Sequence, residues 1–487
     1  MKNKTGLVIL LMSFLIVSHL QGQSIFIKTF GFGRMNEAYA VTQTADKGYA
    51  ITGSTTGSWN EIPDMYLMRT DSTGAYLWSH LYGGNNIDQC KSSIQLSDKG
   101  FLLAGYTNSF SLNNDYDAYF VRTDSMGNEK WSRSFGTTSW ELLESVVETS
   151  DNAYVAAGTS YATSDGHPTG WIIKTDTLGN ILWENLLNLS VDISLTNIIP
   201  TQDGNFVACG YYKDPVPNRE QAFAVKIDGF FGDTLWTYYY HGPNATRLYS
   251  SGEFSSGSLA FCGYLFLEAD TNKDEFVLGL TPSGTEHWQH YFHENGKTEG
   301  FNHLCILNDQ IYTGGSTSTF GSGNQDYHFM RIDSMGNYLF ATNWGGNDDE
   351  ICYHFTPTAD TGFALVGTTK SFGPSFQSVM LVKTNRSLTT TNVVTINVGE
   401  IENSFTLNVY PNPFRDKINI NLKQDLFSGK NLNTIRLFSS TGNLLQNFST
   451  TENECSISCP ELSAGIYLLQ IQDAQGKTRN VRLVKTE

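Results

Sequence analysis

The sequence has little charge, little proline and little cysteine. Charged residues make up 16% of the 487 positions, against roughly 25% in an average soluble domain, whereas aromatic residues reach 13%. This balance excludes a disordered chain, and the 12 prolines without a Gly-X-Y period exclude a collagen-like one. Seven cysteines are too few for a disulfide scaffold. We expect Cys209 and Cys262 to be small buried hydrophobes, and Cys455 and Cys459 are the best candidates for a disulfide.

Basic residues are also scarce. The chain has 31 Lys and Arg against 48 Asp and Glu, which gives a net charge of −17. The first 22 residues and the last 83 carry +2 each, so residues 23–404 carry −21. A body this acidic is repelled by phosphate backbones and by anionic lipids, so we expect no nucleic-acid partner.

Long apolar runs are absent after the first 22 residues. The run Leu7–Val17 follows Lys2 and Lys4 and is followed by small and polar residues up to Gly22. This order is typical of a secretory signal peptide, and the run is too short to span a bilayer comfortably. The sequence therefore predicts a signal peptide over 1–22, export to the periplasm, and a mature chain without a transmembrane segment.

Common catalytic motifs are missing from the sequence. It contains no His-Glu-x-x-His, no Gly-x-Ser-x-Gly, no phosphate-binding glycine loop and no Cys/His spacing suited to zinc. We therefore expect no cofactor. The oxygen-rich segments Asn113–Asp117 and Asn347–Glu350 leave calcium open, although neither has the ligand set of an EF-hand and solvated loop acids are the alternative. A hydrolase also stays open, because glycoside hydrolysis needs only two carboxylates placed by the fold.

What the chain does have is a repeat of about 52 residues. Segments such as Tyr66–Asp71 end at positions 71, 124, 176, 228, 281, 333 and 385. A second landmark, a glycine at the end of an apolar run, recurs at Gly53, Gly105, Gly158, Gly210, Gly263, Gly314 and Gly367. Each unit contains four strand-like segments joined by Asp/Gly turns, which is typical of a propeller blade.

The ends of the repeat favour a closed ring over a stacked solenoid. Residues Ile25–Gly31 match Trp78–Gly83, so the N-terminal segment supplies the strand that the last unit lacks. A solenoid needs distinct end caps, and this repeat has none. The sequence predicts an all-β chain with a seven-bladed β-propeller over 23–385.

A set of acidic and basic residues recurs with the repeat. The acids follow the glycine pair and the bases lie in the fourth segment; only one unit, with Arg247 and Gly279, lacks both. This joint loss predicts six structural ion pairs, and the alternative is a charged ring that faces the central channel and binds a cation or another ligand. The predicted pairs are Glu37–Arg69, Asp88–Arg122, Glu141–Lys174, Asp192–Lys226, Glu299–Arg331 and Glu350–Lys383.

Composition changes after residue 385. Residues 386–404 are rich in Thr, Asn and Val and lack the repeat, so we expect a linker. Residues 405–487 show strand-like segments separated by glycine turns, which predicts a small C-terminal β-sandwich. Three motifs stand out there: Tyr-Pro-Asn-Pro at 410–413, Ser-Ala-Gly-Ile-Tyr at 463–467, and Val-Arg-Leu-Val-Lys at 481–485.

These motifs resemble the type A C-terminal sorting domain of the bacterial type IX secretion system. The resemblance implies export across the inner membrane, a partner in the type IX machinery, and a final location outside the cell or on the outer-membrane surface. The residues that carry the resemblance as a sorting signal are Tyr410, Pro411, Asn412, Pro413, Gly465, Tyr467 and Lys485.

Three functional classes remain for the propeller. We expect a non-catalytic binding or adhesion module for an extracellular glycan or protein. A secreted carbohydrate-active hydrolase and a structural surface-layer component are the alternatives. The segments Tyr211–Pro217 and Tyr264–Asp274 depart from the repeat and are the leading candidates for a binding loop.

Overall fold

The fold is known from a computed structural model. It describes residues 25–31, 34–56, 62–111, 113, 115–163, 167–187, 189–216, 218–266, 272–294, 296–321, 323–373, 375–390, 393–395, 408–410, 414–421, 433–439, 444–452, 454–472 and 478–486. The predicted signal peptide lies outside these residues. The chain divides into two compact units, one up to residue 400 and one from residue 401.

The first unit is built from four-stranded antiparallel sheets that follow one another along the chain, and we call each sheet a blade. β1 (Phe26–Phe30) comes first, and blade 1 then consists of β2 (Asn36–Gln43), β3 (Tyr49–Thr56), β4 (Pro63–Thr70) and β5 (Tyr76–Tyr82). Blade 2 consists of β6 (Asp88–Gln95), β7 (Phe101–Thr107), β8 (Asp117–Thr123) and β9 (Glu129–Phe135). Blade 3 consists of β10 (Glu141–Glu148), β11 (Tyr154–Ser160), β12 (Thr169–Thr175) and β13 (Ile181–Leu186).

Blades 4 to 6 have the same strand order. Blade 4 consists of β14 (Ile193–Pro200), β15 (Phe206–Asp214), β16 (Arg219–Ile227) and β17 (Thr234–Tyr239). Blade 5 consists of β18 (Thr246–Glu253), β19 (Leu259–Phe266), β20 (Lys273–Leu280) and β21 (Glu286–Phe292). Blade 6 consists of β22 (Glu299–Leu307), β23 (Gln310–Thr317), β24 (Asp326–Ile332) and β25 (Tyr338–Trp344).

The seventh sheet closes the ring. It contains β26 (Glu350–Pro357), β27 (Phe363–Thr369) and β28 (Ser378–Lys383), and its fourth strand is β1 from the other end of the repeat. Phe26 pairs with Lys383 and Phe30 with Val379 in an antiparallel register. β2 of blade 1 also contacts this sheet, where the backbone N–H of Val41 donates to Nδ1 of His354 at 3.3 Å. The prediction of an all-β propeller is confirmed.

One part of the predicted linker belongs to blade 7. Residues Val393–Thr395 form β29, which pairs in parallel with β1 as a fifth strand of that sheet. The segment predicted as a linker over 386–404 thus contributes these three residues to the sheet of blade 7. The physical reason is that β1 ends the sheet and leaves its backbone groups open to pairing, which a run of β-branched residues readily supplies.

Hairpins of the type Asp-x-x-Gly join the third and fourth strands of most blades. In blade 1 the Asp71 carboxylate accepts hydrogen bonds from the backbone N–H groups of Thr73 and Ala75 at 2.8 and 2.9 Å. Gly74 takes φ +76, and a Cβ there would lie 2.6 Å from the ring of Phe26. At Gly127, the matching place in blade 2, Trp78 of blade 1 fills this position, so the turn glycine and the strand aromatic form one contact between neighbouring blades.

The second unit is a sandwich of two sheets. Its strands are β30 (Asn408–Tyr410), β31 (Lys417–Asn421), β32 (Asn433–Ser439), β33 (Leu444–Thr450), β34 (Glu454–Ser458), β35 (Gly465–Gln472) and β36 (Thr478–Lys485). They form a three-stranded sheet in the order β30-β31-β34 and a four-stranded sheet in the order β33-β32-β35-β36. Apolar side chains of both sheets, among them Ile418, Leu437, Leu469 and Leu483, form the core.

All seven cysteines are free. Cys209 and Cys262 are fully buried, as expected for small hydrophobes. The Cys455–Cys459 disulfide is wrong, because Cys455 lies within β34 and Cys459 directly follows it. Four residues of extended chain span about 13 Å, and a disulfide needs Cα atoms within about 7 Å.

Candidate functional site

The first strand of each blade carries a β-bulge. In blade 1, Ala38 pairs with Gly53 and Ala40 with Thr52, so Tyr39 between them is left without a partner. The same shift occurs at one position in every blade, and bulges of this kind re-aim a side chain. The bulged residues are Tyr39, Lys91, Glu144, Thr196, Tyr249, Asn302 and Tyr353.

The repeat glycine exists because of this bulge. A Cβ on Gly53 would fall on the carbonyl oxygen of Glu37, far inside van der Waals contact. The matching glycine of each other blade has the same relationship to the strand that faces it. In blade 6 this glycine is Gly315, which pairs with Phe301, so the expectation that Gly314 holds the landmark is wrong by one residue.

All seven bulged side chains line one central channel. The cavity has a volume of about 620 Å³ and also receives Tyr161, Tyr211, Arg247, His303 and His354. We call the seven bulged residues the channel ring. Sequence reasoning missed this ring, although its signal is present: the chemical type varies at this position, whereas the residue before it is small or apolar in every blade.

Aromatic contacts dominate the wall where blades 7, 1 and 2 meet. The rings of Tyr39 and Tyr353 lie 5.0 Å apart, and the Lys91 Nζ lies 4.7 Å from the centre of the Tyr39 ring. On the other side, the Arg247 guanidinium lies 4.2 Å from the centre of the Tyr211 ring. Tyrosines with an exposed face and a hydroxyl provide both stacking and hydrogen bonding to a ligand.

Charged groups in the channel are few and largely neutralised. Burial lowers the pKa of His354 to about 4, and burial and His354 lower that of His303, so the two imidazoles, whose ring centres lie 3.9 Å apart with tilted planes, are uncharged at neutral pH. Burial raises the pKa of Glu144, against the attraction of Lys91. Arg247 donates to Glu220 at 2.5 and 2.7 Å. The channel is therefore polar without a strong net charge.

An aromatic cluster leads from the protein surface to the channel. The Trp140 side chain is 49% exposed and packs edge-on against Tyr116 at 5.3 Å and Tyr161 at 5.9 Å. Tyr161 lines the channel, and Tyr106 extends the cluster on the other side of Tyr116 at 5.4 Å. These four side chains form a continuous aromatic surface between blades 2 and 3, which we call the aromatic rim.

The predicted ion pairs between the recurring acids and bases are wrong. Glu37 pairs through Ser54 with Met65, and Arg69 lies four residues further along that strand, about 13 Å away. The bases instead bind an aspartate in the hairpin between the first two strands of their own blade. These pairs are Arg69–Asp46 at 2.8 Å, Arg122–Asp98 at 2.5 Å, Lys174–Asp151 at 3.2 Å, Lys226–Asp203 at 2.6 Å and Lys383–Asp360 at 2.9 Å.

Blades 5 and 6 depart from this pattern. In blade 6 the hairpin shortens to Asn308 and Asp309, no aspartate faces Arg331, and its buried Nε has no hydrogen-bond partner among the described residues. In blade 5 the base is absent, and Trp288 fills the space beside Gly279. The joint loss at Arg247 and Gly279 therefore does not reflect a lost pair, since Arg247 binds Glu220.

The recurring acids lie at the opposite end of the blades from these basic residues, and they accept hydrogen bonds from loop residues there. Glu350 accepts hydrogen bonds from the backbone N–H of Gly346 at 2.6 Å and from the Thr369 hydroxyl at 2.7 Å. Asp88, Glu141 and Glu299 occupy the same register position and also accept from loop or strand groups. Relative to the bulged residue of its blade, Glu37 lies one position later than these acids, and its carboxylate accepts from the Tyr39 hydroxyl at 2.5 Å. Asp192 lies one position earlier than these acids, and its carboxylate binds His167 at 2.8 Å.

The two oxygen-rich segments considered for calcium differ in environment. Glu350 and Asp349 have protein partners, the latter Lys370 Nζ at 2.8 Å. In the other segment Asp117 is buried, and burial together with Asp115 and Glu141 raises its pKa to about 6. In the part of the chain that the structure describes, no three side chains of the types that ligate metals form a site.

Three residues of the predicted sorting signal lie together in the sandwich. Gly465 pairs with Lys485 between β35 and β36, and the Lys485 Nζ lies 5.5 Å from the centre of the Phe414 ring. The Tyr467 hydroxyl donates to the carbonyl of Ser463 at 2.7 Å, and its ring lies 6.4 Å from Phe414. Tyr410 belongs to β30, and the predicted signal residues 411–413 lie outside the described residues.

Comparison with known proteins separates the two units. Residues 408–485 match the family described as secretion system C-terminal sorting domain. No curated protein sequence matches the chain. Among the described residues, no helix has the length and apolar character needed to cross a membrane.

Solved structures similar to the chain are distant in sequence. One is PorZ, a surface component of the type IX secretion system of Porphyromonas gingivalis, with 11% identity and a TM-score of 0.43 over 92% of this chain. The chain spans 59% of the length of PorZ. A second is the WD40 domain of Neurospora crassa Pan2, with 10% identity and a TM-score of 0.48, where the match covers 73% of this chain and 91% of that domain. A third is the β-propeller domain of the Trilobed protease of Pyrococcus furiosus, with 10% identity and a TM-score of 0.43, where the match covers 74% of this chain and 97% of that domain.

The sorting domain defines how the chain is delivered. Residues 408–485 are a secretion sorting domain, and this match supports the prediction that the chain is a cargo of the type IX secretion system, exported to the cell surface or the extracellular space.

Proposed function

We propose that this type IX cargo, once outside the cell, acts as a non-catalytic glycan-binding module whose central channel and aromatic rim hold the sugar. The observation that carries the proposal is the channel ring. Seven bulges bring seven side chains of five types, three of them tyrosines, to one cavity, a placement that costs each blade a regular backbone pairing.

The chemistry of the channel favours a glycan. Sugars offer apolar C–H faces and many hydroxyls, and the channel offers tyrosine rings together with hydroxyl and amide groups. Tyr39, Tyr249 and Tyr353 supply rings. The Thr196 hydroxyl and the Asn302 amide donate to backbone carbonyls, and their oxygens can accept hydrogen bonds from sugar hydroxyls. With a volume of about 620 Å³ the cavity lies within the size range of small-molecule sites.

The aromatic rim extends this surface to the outside. Trp140 is about half exposed, and its contact with Tyr161 makes it continuous with the channel wall. Exposed aromatic side chains that join a concave site are typical of binding surfaces rather than of structural packing.

A printed array of host and microbial glycans tests the proposal. We expect the full mature chain to bind a restricted set of glycans, Trp140→Ala and Tyr249→Ala to lose most of that signal, and the bound glycans to be recovered uncleaved. Phe231→Ala is the matched control, because Phe231 is 70% exposed on a hairpin turn and does not line the channel. No binding, equal losses in the control, or cleavage of the glycans would contradict the proposal.

A further inference from the structure

A second cavity lies between blades 5 and 6, away from the channel ring. It has a volume of about 290 Å³, close to the lower limit of roughly 300 Å³ for small-molecule sites. Its polar lining includes Glu275 from β20, Glu299 from β22, His328 from β24 and Thr319 from the loop after β23. Phe320 and Tyr338 provide aromatic walls.

Glu275 and His328 form a buried pair across the two blades. The Glu275 Oε1 and the His328 Nδ1 lie 2.6 Å apart, and the side chains are 1% and 3% exposed. Each of the six other blade interfaces has two residues at the register positions that Glu275 and His328 hold here. At all six interfaces these residues are apolar or aromatic. These are Met65 and Tyr119, Ala118 and Trp171, Gly170 and Phe223, Ala222 and Phe276, Tyr327 and Met380, and Val379 and Tyr66.

Three buried polar atoms at this cavity lack a partner. The Glu275 Oε2, the His328 Nε2 and the Thr319 Oγ1 have no hydrogen-bond partner among the described residues. Buried polar atoms are normally hydrogen-bonded, and leaving one unpaired is costly. Three such atoms on the wall of one cavity indicate a polar ligand that completes them.

The charge of the lining selects the class of ligand. The carboxylates of Glu275, Glu294 and Glu299 line the cavity, and no lysine or arginine lies among its described lining residues. A primary ammonium has three N–H donors, which matches the three unpartnered atoms as acceptors once the His328 imidazole is neutral. The rings of Phe320, 54% exposed, and Tyr338, 56% exposed, add faces that attract a cation.

We propose that the cavity between blades 5 and 6 is a binding site for a primary ammonium group, held by Glu275, Thr319 and His328 between the rings of Phe320 and Tyr338. This site is independent of the glycan site in the channel.

Proton binding competes with the ammonium ligand at this site. Burial raises the pKa of Glu275; burial opposes protonation of His328, but the attraction of Glu275 outweighs it and raises that pKa too. A protonated His328 repels an ammonium, so binding should strengthen as pH rises. The titratable groups that face the pair are Asp274 beside Glu275, Glu299 on β22, His293 and Glu294 after β21, and Asp326 on β24.

Calorimetric titration of the full mature chain tests the site. The probes are n-pentylammonium, a free amine; Nα-acetyl-lysine methylamide, a lysyl side chain; and n-pentanol, the uncharged match of the first. We expect either ammonium probe to bind and pentanol not to bind. Whichever ammonium binds more tightly identifies the source, and either result supports the site. Equal binding of pentanol, or no binding of either ammonium probe, would overturn it.

Two variants and a control locate the binding. Glu275→Gln and Thr319→Val should each weaken ammonium binding by about tenfold, because each removes an acceptor for a charged donor. Glu141→Gln is the control: Glu141 holds the register position of Glu299 in blade 3, is equally buried, and lies outside the cavity. Thr319→Val keeps the test valid if Glu275→Gln does not fold. Unchanged binding in Thr319→Val, or an equal loss in Glu141→Gln, would overturn the assignment.

Discussion

Gly53 lies directly against the backbone carbonyl of Glu37, with no space between them for a side chain. Two residues after that carbonyl, Tyr39 bulges out of the strand and faces the central channel. The most regular feature of the repeat, its glycine, is thus coupled to the most variable one, the channel ring. The glycine permits the bulge, and the bulge places one side chain of each blade in the channel, with the residue type varying among the blades.

A side chain at a repeat glycine should therefore destabilise the blade. We expect Gly105→Ala to lower the free energy of unfolding by about 1–3 kcal/mol, because its Cβ would overlap the carbonyl oxygen of Gln89. Urea unfolding measures the change. Gly300→Ala is the control, since the nearest atom to a Cβ there is 3.7 Å away, and it should change stability by less than about 0.5 kcal/mol. Equal costs in the two variants would contradict the link between glycine and bulge.

The bases of the repeat provide a second comparison between blades. Arg122 is buried and bound to Asp98, which is half exposed, whereas Arg331 at the same position has a buried Nε that finds no hydrogen-bond partner in the described part of the chain. We expect Arg122→Met to cost about 1–2 kcal/mol, because it removes a charge-assisted hydrogen bond. Arg331→Met should be neutral or stabilising, since it removes an unsatisfied polar atom. The same unfolding experiment tests both, and a larger cost at Arg331 would show that it has an essential partner.

Carboxylates at the blade interfaces predict how stability depends on pH. Burial and the charge of Asp88 raise the pKa of Asp64 to about 6, above the value of about 3.9 in an unfolded chain. The folded state therefore binds the proton more tightly, so this group's contribution is favourable in acid and is lost as pH rises from about 4 to about 6.

Thermal unfolding between pH 4 and pH 7 measures this dependence. Asp64→Asn should reduce the slope and raise stability at pH 7. Asp124→Asn is the control, and it should neither reduce the slope nor raise stability at pH 7, because hydrogen bonds from Asn128 lower the pKa of that exposed carboxyl. An unchanged slope in Asp64→Asn would show that folding does not raise the pKa of Asp64.

Deletion of residues 405–487 tests the role of the tail. The propeller closes its own ring through β1 and β28, so we expect the truncated chain to keep its circular-dichroism spectrum and thermal transition. Since the sorting domain directs export, the truncated chain should remain in the cell envelope while the full chain reaches the surface or the medium. Fractionation of the producing cells measures this, and export of the truncated chain at full yield would show that sorting does not depend on the tail.

The sequence contained enough to predict the fold but not the contacts. The spacing of the landmarks predicted the sheets, and the match of Ile25–Gly31 to Trp78–Gly83 predicted that β1 completes the last blade. Counting along the chain could not predict the register within a blade. The pairing of Glu37 with Arg69 failed because the two residues lie at opposite ends of their strands.

The two proposed binding sites could not be found in the sequence for related reasons. A bulge adds one residue to one strand without changing the repeat length, so the residues of the channel ring were not distinguished from their neighbours. Glu275 and His328 are 53 residues apart in sequence and meet only because neighbouring blades pack face to face. The pair stands out only when the strand register is known, because the six other blade interfaces have apolar or aromatic residues at the same positions.

The most direct test of the proposed function is a crystal structure of the full mature chain with the glycan that gives the strongest array signal. The account predicts sugar density in the central channel against Tyr39, Tyr249 and Tyr353, continuing toward Trp140. Sugar density confined to the outer strands of the blades, with an unchanged channel, would contradict it.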